Sequence, residues 1–161
     1  MTGCRLTGGA RFSFFRHSYS RCAMSQTITK GYKELVAEAD KEITTFTPEE
    51  AVAMQGRDDV VLVDIRDIRE LERMGTVNGA FHAPRGMLEF WIDPESPYYK
   101  PVFGEDKQFV FFCAGGLRSA LATQQVQRMG LKPVGHVKGG FSAFKDAGGA
   151  VEEPAHMVGE D

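Results

Sequence analysis

Two stretches of the chain are apolar almost without interruption: "VVLVDI" at residues 60–65 and "QFVFFC" at 108–113. Runs this short, with no polar alternation, read as strands buried on both faces, the pattern of central strands in a parallel sheet. Weaker strand signals lie at "ITTF" (43–46), "GAFHAP" (79–84, stopped by Pro84) and "PVGHV" (133–137). Helical spacing fills the intervals. Tyr32, Val36, Ala39 and Ile43 recur at four, three and four, with Lys33, Glu34, Glu38, Asp40 and Lys41 on the remaining face, so a helix is expected over 31–43. "TPEEAVAM" (47–54) opens with Thr47 as cap, Pro48 at the first helical position and Glu50 completing a capping box. "RDIRELERMG" (66–75) reads as a helix ending on Gly75, "RGMLEFWID" (85–93) as one or two helical turns. A further helix starts near Arg118 or Ser119 and runs to Met129, and a short one closes the chain within 139–149. The proline-rich stretch 94–107 reads as a surface loop and the acidic "VEEPAHMVGED" as a frayed tail. Strands alternating with helices predict an α/β fold with a central, mostly parallel sheet of about five strands and helices on both faces.

Length, 161 residues, suits one domain with a core of its own. Charge is uneven along it. The first acid is Glu34, whereas Arg5, Arg11, Arg16 and Arg21 all precede Met24. An arginine- and serine-rich, acid-free start resembles an organellar transit peptide, but an upstream start before Met24 explains it as well. Either way residues 1–23 are expected outside the fold, followed by a helical extension (24–42), the domain proper (43–152) and a flexible tail (153–161). Without the four arginines the net charge goes from −3 to −7, which gives no support for a nucleic-acid surface. No apolar run approaches the roughly 20 residues that span a bilayer.

Of three cysteines, Cys4 and Cys22 lie in the leader, so Cys113 is alone in the domain, with no disulfide and no zinc-type pair available to it. That favours a reducing compartment, the cytoplasm, or a mitochondrial matrix if 1–23 is a transit peptide. Cys113 ends an apolar strand and is followed by Ala114, Gly115, Gly116, Leu117, Arg118 and Ser119, then helix. In open parallel sheets ligands sit beyond the carboxyl ends of the strands. Glycines let the loop turn its N–H groups inward, and the helix start and Arg118 add positive potential at the same point. A sulfur held there is expected to be favoured as thiolate, a nucleophile. The bland alternative is an inert buried cysteine beside a tight turn.

Four stretches carry a family resemblance: "VVLVDIRDIRELERMGTVNGAFHAP" (60–84), "CAGGLRS" (113–119), "LATQQVQRMGLKPV" (121–134) and "VKGGFSAFKDAGGAV" (137–151). Together they resemble a single-domain rhodanese, a sulfurtransferase. The resemblance implies that Cys113 takes a sulfur atom from a donor such as thiosulfate or a thiol persulfide and passes it, as a persulfide, to cyanide, a thiol or a protein acceptor. It implies that the amides from Ala114 to Ser119 bind the terminal sulfur, that Arg118 supports the loop and steers anions, and that no metal or organic cofactor is needed. Cysteine-dependent phosphatases use a related Cys-x5-Arg loop; the Cys-x4-Arg spacing here is one residue shorter and suits a single extra sulfur better than a phosphate. Ala114 stands where several thiosulfate-preferring members carry a basic residue, which points away from thiosulfate as the best donor.

Asp64 and Arg66 end a strand on the same edge as Cys113, and Arg66 either borders the donor site or forms a structural pair. Arg85 and Trp91 follow Pro84 and are candidates for the pocket mouth, Trp91 more as packing. His82 and His136 have no motif around them, and no histidine is spaced against Cys113 as a dyad. Two other functions stay open: a phosphatase or arsenate-reductase-like enzyme, and a sulfur-relay module acting on a partner protein.

Overall fold

A computed structural model describes residues 26–153 of the chain; the expectations for the leader, 1–23, and for 154–161 fall outside that range. The elements in order are α1 (Tyr32–Glu42), β1 (Thr44–Phe46), α2 (Pro48–Met54), β2 (Val60–Asp64), α3 (Ile68–Met74), β3 (Thr76–Val77), β4 (Phe81–His82), α4 (Leu88–Ile92), β5 (Gln108–Phe112), α5 (Leu117–Arg128), β6 (Val134–Val137), α6 (Gly140–Asp146) and β7 (Val151–Glu152). Five strands form one sheet in the order β1-β6-β5-β2-β4, every pair parallel, as the uninterrupted apolar runs require. β2 and β5 pair along their whole length, from Val60 against Gln108 to Asp64 against Phe112.

Alternation along these two strands builds two cores. Val63, Phe109, Phe111 and Cys113 face one side, where Ala122 and Val126 of α5 and Leu88 and Ile92 of α4 cover them. Leu62, Val110 and Phe112 face the other, against Ala51 of α2 and Phe141 and Phe144 of α6. α2 starts as its sequence predicts: Thr47 Oγ1 accepts from the Glu50 N–H and the Glu50 carboxylate accepts from the Thr47 N–H.

Three features differ from the sequence-based expectation. The loop 94–107 contains a 3₁₀ turn, Pro101–Gly104, whose Phe103 is buried edge-on to Phe81 and beside Phe109; one large aromatic ring suffices to pull a proline-rich segment onto the core. Val151 and Glu152, the last residues of the expected domain but the first of the stretch read as frayed, form β7 and pair antiparallel with β3; strands of two residues carry no period to read. In α1, Ala39 is fully buried but Tyr32 stays exposed. The helix is fastened to α5 instead by Glu42, which accepts from the Gln124 and Gln127 side chains and pairs with Arg128.

Candidate active site

β5 delivers Cys113 to the carboxyl edge of the sheet, and the chain reverses within three residues into α5. Cys113 is 1% exposed. Its Sγ accepts the Gly116 N–H at 3.2 Å and lies 3.6 Å from Ser119 Oγ, which in turn contacts the Gly116 carbonyl at 3.1 Å. Gly116 can aim its N–H inward because it sits at φ 92°, and a side chain there would press on the Gly139 nitrogen. α5 is twelve residues long and begins at Leu117, so its N-terminal dipole is directed at the loop.

A second glycine pair holds the loop from behind. Gly139 and Gly140 let the chain turn so that the Phe141 N–H donates to the Cys113 carbonyl at 2.7 Å and the Ser142 N–H to the Ala114 carbonyl at 3.3 Å. A Cβ on Gly140 would collide with the Cys113 carbonyl oxygen. The "GGFSAF" signal at 139–144 is therefore part of the site's construction.

The structure brings the expected loop residues together but occupies the expected cation. Arg118 donates two hydrogen bonds to the Glu70 carboxylate, at 2.7 and 2.8 Å. That pairing, chiefly, pulls the Glu70 carboxyl down to about 2. It also holds Arg118 more firmly protonated, with the charges of Glu70 and the Cys113 sulfur acting in the same direction. Glu70 was not anticipated. Its other role, accepting the Asp67 N–H to close the capping box of α3, is visible as Asp-x-x-Glu in the sequence and accounts for it there without reference to Arg118.

The two flanking arginines do not reach the loop. Arg66 is fully buried, with bonds to both Asp64 oxygens (2.7 Å at the shortest) and to the Gly75 carbonyl, and its guanidinium stacks 4.1 Å above the Phe141 ring. Thr76 Oγ1 donates to the same Asp64 carboxylate. Arg85 lies at the surface, paired with Glu89 one turn away. Trp91 packs against Phe81, with Lys100 over its ring. His82 Nε2 meets the Arg66 carbonyl at 2.9 Å. His136, which no motif marked, is 3.2 Å from Ser119 Oγ through Nδ1 and so one hydroxyl away from the sulfur. Burial lowers its affinity for a proton, and Asp40 partly restores it. Among the described residues no three His, Cys, Asp or Glu side chains converge as metal ligands, and no helix is long and apolar enough to cross a membrane.

Comparison with known proteins agrees with this construction. A solved structure from Rhodopseudomonas palustris, described as a possible tyrosine phosphatase of unknown function, is 60% identical, with a TM-score of 0.77 over 80% of this chain and 99% of that one. The thiosulfate sulfurtransferase GlpE of Glaesserella parasuis is 31% identical over 65% of this chain and 89% of its own length. The tRNA uridine(34) hydroxylase of Acinetobacter baumannii is 28% identical over 74% of this chain, which spans only 42% of that protein. The family model for the rhodanese-like domain matches residues 47–147, from the cap of α2 to the end of α6 and including Cys113 and its whole loop, and the chain belongs to that family.

Proposed function

We propose that the protein is a sulfurtransferase that carries sulfane sulfur on Cys113. The observation that carries this reading is the cradle itself: Sγ at the mouth of a loop one residue shorter than a phosphate would need, with the Gly116 N–H directed at it from 3.2 Å. The Cys113 thiolate attacks the outer sulfur of the donor. The donor's S–S bond breaks, its remainder leaves with the electron pair (sulfite from thiosulfate, a thiolate from a persulfide), and Cys113 holds a terminal sulfur with one negative charge. The amides from Ala114 to Ser119 stabilise that charge. A nucleophilic acceptor then attacks the terminal sulfur and Cys113 leaves as thiolate.

Two features favour a thiol persulfide over thiosulfate as donor. Ala114 brings no charge, and the charge of Arg118 is largely compensated by Glu70. A dianion therefore meets little net positive potential, while a monoanionic persulfide is less affected. Arg85, half-exposed and paired with Glu89, is the remaining candidate for the pocket mouth, and Arg66 supports the edge from beneath. Acceptors are small thiols or cyanide, or a protein thiol.

The test is intact mass after incubation with glutathione persulfide or thiosulfate. A gain of one sulfur atom, removed by cyanide and absent in Cys113→Ser, is expected, and faster loading from the persulfide. Hydrolysis of p-nitrophenyl phosphate with no sulfur gain from either donor would replace this reading by the phosphatase one.

A further inference from the structure

His136 takes no part in the steps above, yet a continuous line of polar contacts joins it to the sulfur. It sits in β6 with 4% exposure, between Phe111 of β5 and Thr45 of β1 in the sheet register. Nδ1 faces Ser119 Oγ at 3.2 Å, and that oxygen faces Cys113 Sγ at 3.6 Å. Nε2 faces Thr45 Oγ1 at 3.1 Å and Asp40 Oδ1 of α1 at 3.7 Å. Cys113 and Ser119 are both closed to solvent, whereas Asp40 is about half exposed. Between them lies a cavity of about 380 Å³ bordered by Val36, Asp40, Thr45, Gly116, His136 and Lys138. One ring nitrogen therefore looks toward the buried sulfur and the other toward an opening. The wall that makes the opening, α1, precedes the matched family domain.

We propose that His136, acting through the Ser119 hydroxyl, carries protons between the Cys113 sulfur and solvent, with the α1-walled cavity as the exit. The idea deepens the sulfurtransferase reading and rests on it for its purpose. In the loading direction the S–H bond of Cys113 breaks as its proton passes to Ser119 Oγ. The serine's own proton passes to His136 Nδ1, leaving thiolate and imidazolium. The Nε2 proton then goes to Asp40 or to water in the cavity, and the ring is neutral again in its other tautomer, now accepting from Thr45. No atom changes oxidation state. When an acceptor removes the sulfur and Cys113 leaves as thiolate, the same path runs backward. Among the described residues that border the ring or the cavity, Asp40 from α1 favours the imidazolium, Lys138, next to β6, carries the opposite charge at the cavity wall, and Ser119 of α5 and Thr45 of β1 meet the ring with hydroxyls.

The experiment is the rate of iodoacetamide alkylation at Cys113 against pH, from about pH 4.5 to 9, with the alkylated peptide identified by mass so that Cys4 and Cys22 do not contribute. A neutral His136 accepts the sulfur's proton and a protonated one does not, so the wild-type profile should show an inflection from the ring, below neutral pH, beside that of the thiol itself. His136→Gln, which keeps hydrogen bonding but cannot carry a proton, should lose the lower inflection and react at least about tenfold more slowly at pH 7. Ser119→Ala should do the same, and Asp40→Asn should move the lower inflection to lower pH. A single inflection in the wild-type chain overturns the proposal even if no variant folds, as do two inflections that persist in His136→Gln. A merely structural role for His136 would slow alkylation equally at every pH. Sulfur loading is measured separately: two inflections without any sulfur gain leave the relay standing and remove the sulfurtransferase reading, while sulfur gain with one inflection does the reverse.

Discussion

The Arg118 charge and the Cys113 sulfur act on each other while the guanidinium is gripped twice by Glu70, and two substitutions of opposite sign separate the arginine's field from its partner's. Arg118→Ala removes a half-exposed cation whose charge acts on the Cys113 sulfur, an interaction on the order of 1 kcal/mol at the water-like dielectric of an exposed pair. Alkylation of Cys113 at pH 7 should slow roughly fivefold, the rate equivalent of that energy. Glu70→Gln leaves the cation uncompensated and should speed the same reaction, while keeping an acceptor for the Asp67 N–H and costing at most about 1 kcal/mol of stability through the lost ion pair. Equal rates in wild type and both variants would mean that the loop amides alone govern the thiolate. At this scale Cys113, Gly116 and Arg118 were legible because their order along the chain is the order of the loop. Glu70 was not: it lies 48 residues from Arg118, and its capping pattern already explained it locally. His136 was invisible for a related reason. A single histidine in a short apolar strand reads as core until the fold sets Ser119 beside it.

Between elements, the junction of β5, the loop and α6 is steric. Gly140 lies at φ 61° with no room for a Cβ against the Cys113 carbonyl. Gly140→Ala combines left-handed strain with overpacking and should cost about 3 kcal/mol. Because the displaced atom belongs to Cys113, sulfur loading should fall even in the fraction that remains folded, which limited proteolysis and mass of the folded pool would distinguish. A buried charge pair ties β2 to the turn before β3. Arg66→Met leaves the Asp64 carboxylate in the core without its counter-ion, a loss of about 3–5 kcal/mol, whereas Asp64→Leu with Arg66→Met together should recover much of it. Urea midpoints of the three chains check this. A double variant no more stable than Arg66→Met would give the pair a specific role beyond charge neutralisation. The strands β2 and β5 and the capped helix α2 were readable from period and cap residues. β3, β7 and the seating of Phe103 were not, since each depends on a partner supplied by the finished sheet.

For the whole molecule, acid should weaken the fold in two stages, and the sign follows from which state holds more protons. Burial holds His136 below its ordinary 6.5 in the folded chain. The unfolded chain takes up that proton first, so stability present above about pH 6.5 is lost as the pH falls toward the folded value, and the loss stops once the folded ring also protonates. Glu70, held at about 2 against an ordinary 4.5, acts lower down. Its contribution is complete above about pH 4.5 and drains away as the pH falls to about 2; Asp67, at about 2 through its bonds to Arg69, adds to the same stage. The first stage depends on α1, β1 and α5 closing around one ring, and the second on α3 meeting α5, so they report different parts of the assembly. Trp91, the chain's single tryptophan, packs on Phe81 in the α4 core and provides the signal. Urea midpoints followed by its fluorescence in half-unit steps should drop below pH 6.5, level off, and drop again below 4.5. His136→Gln should erase the first step and keep the second, and Glu70→Gln should shrink the second and keep the first. A wild-type midpoint constant from pH 7 to 5 would show that His136 protonates as readily in the folded chain as in the unfolded one. The charge of Asp40 would then fully offset the burial of the ring in the folded chain.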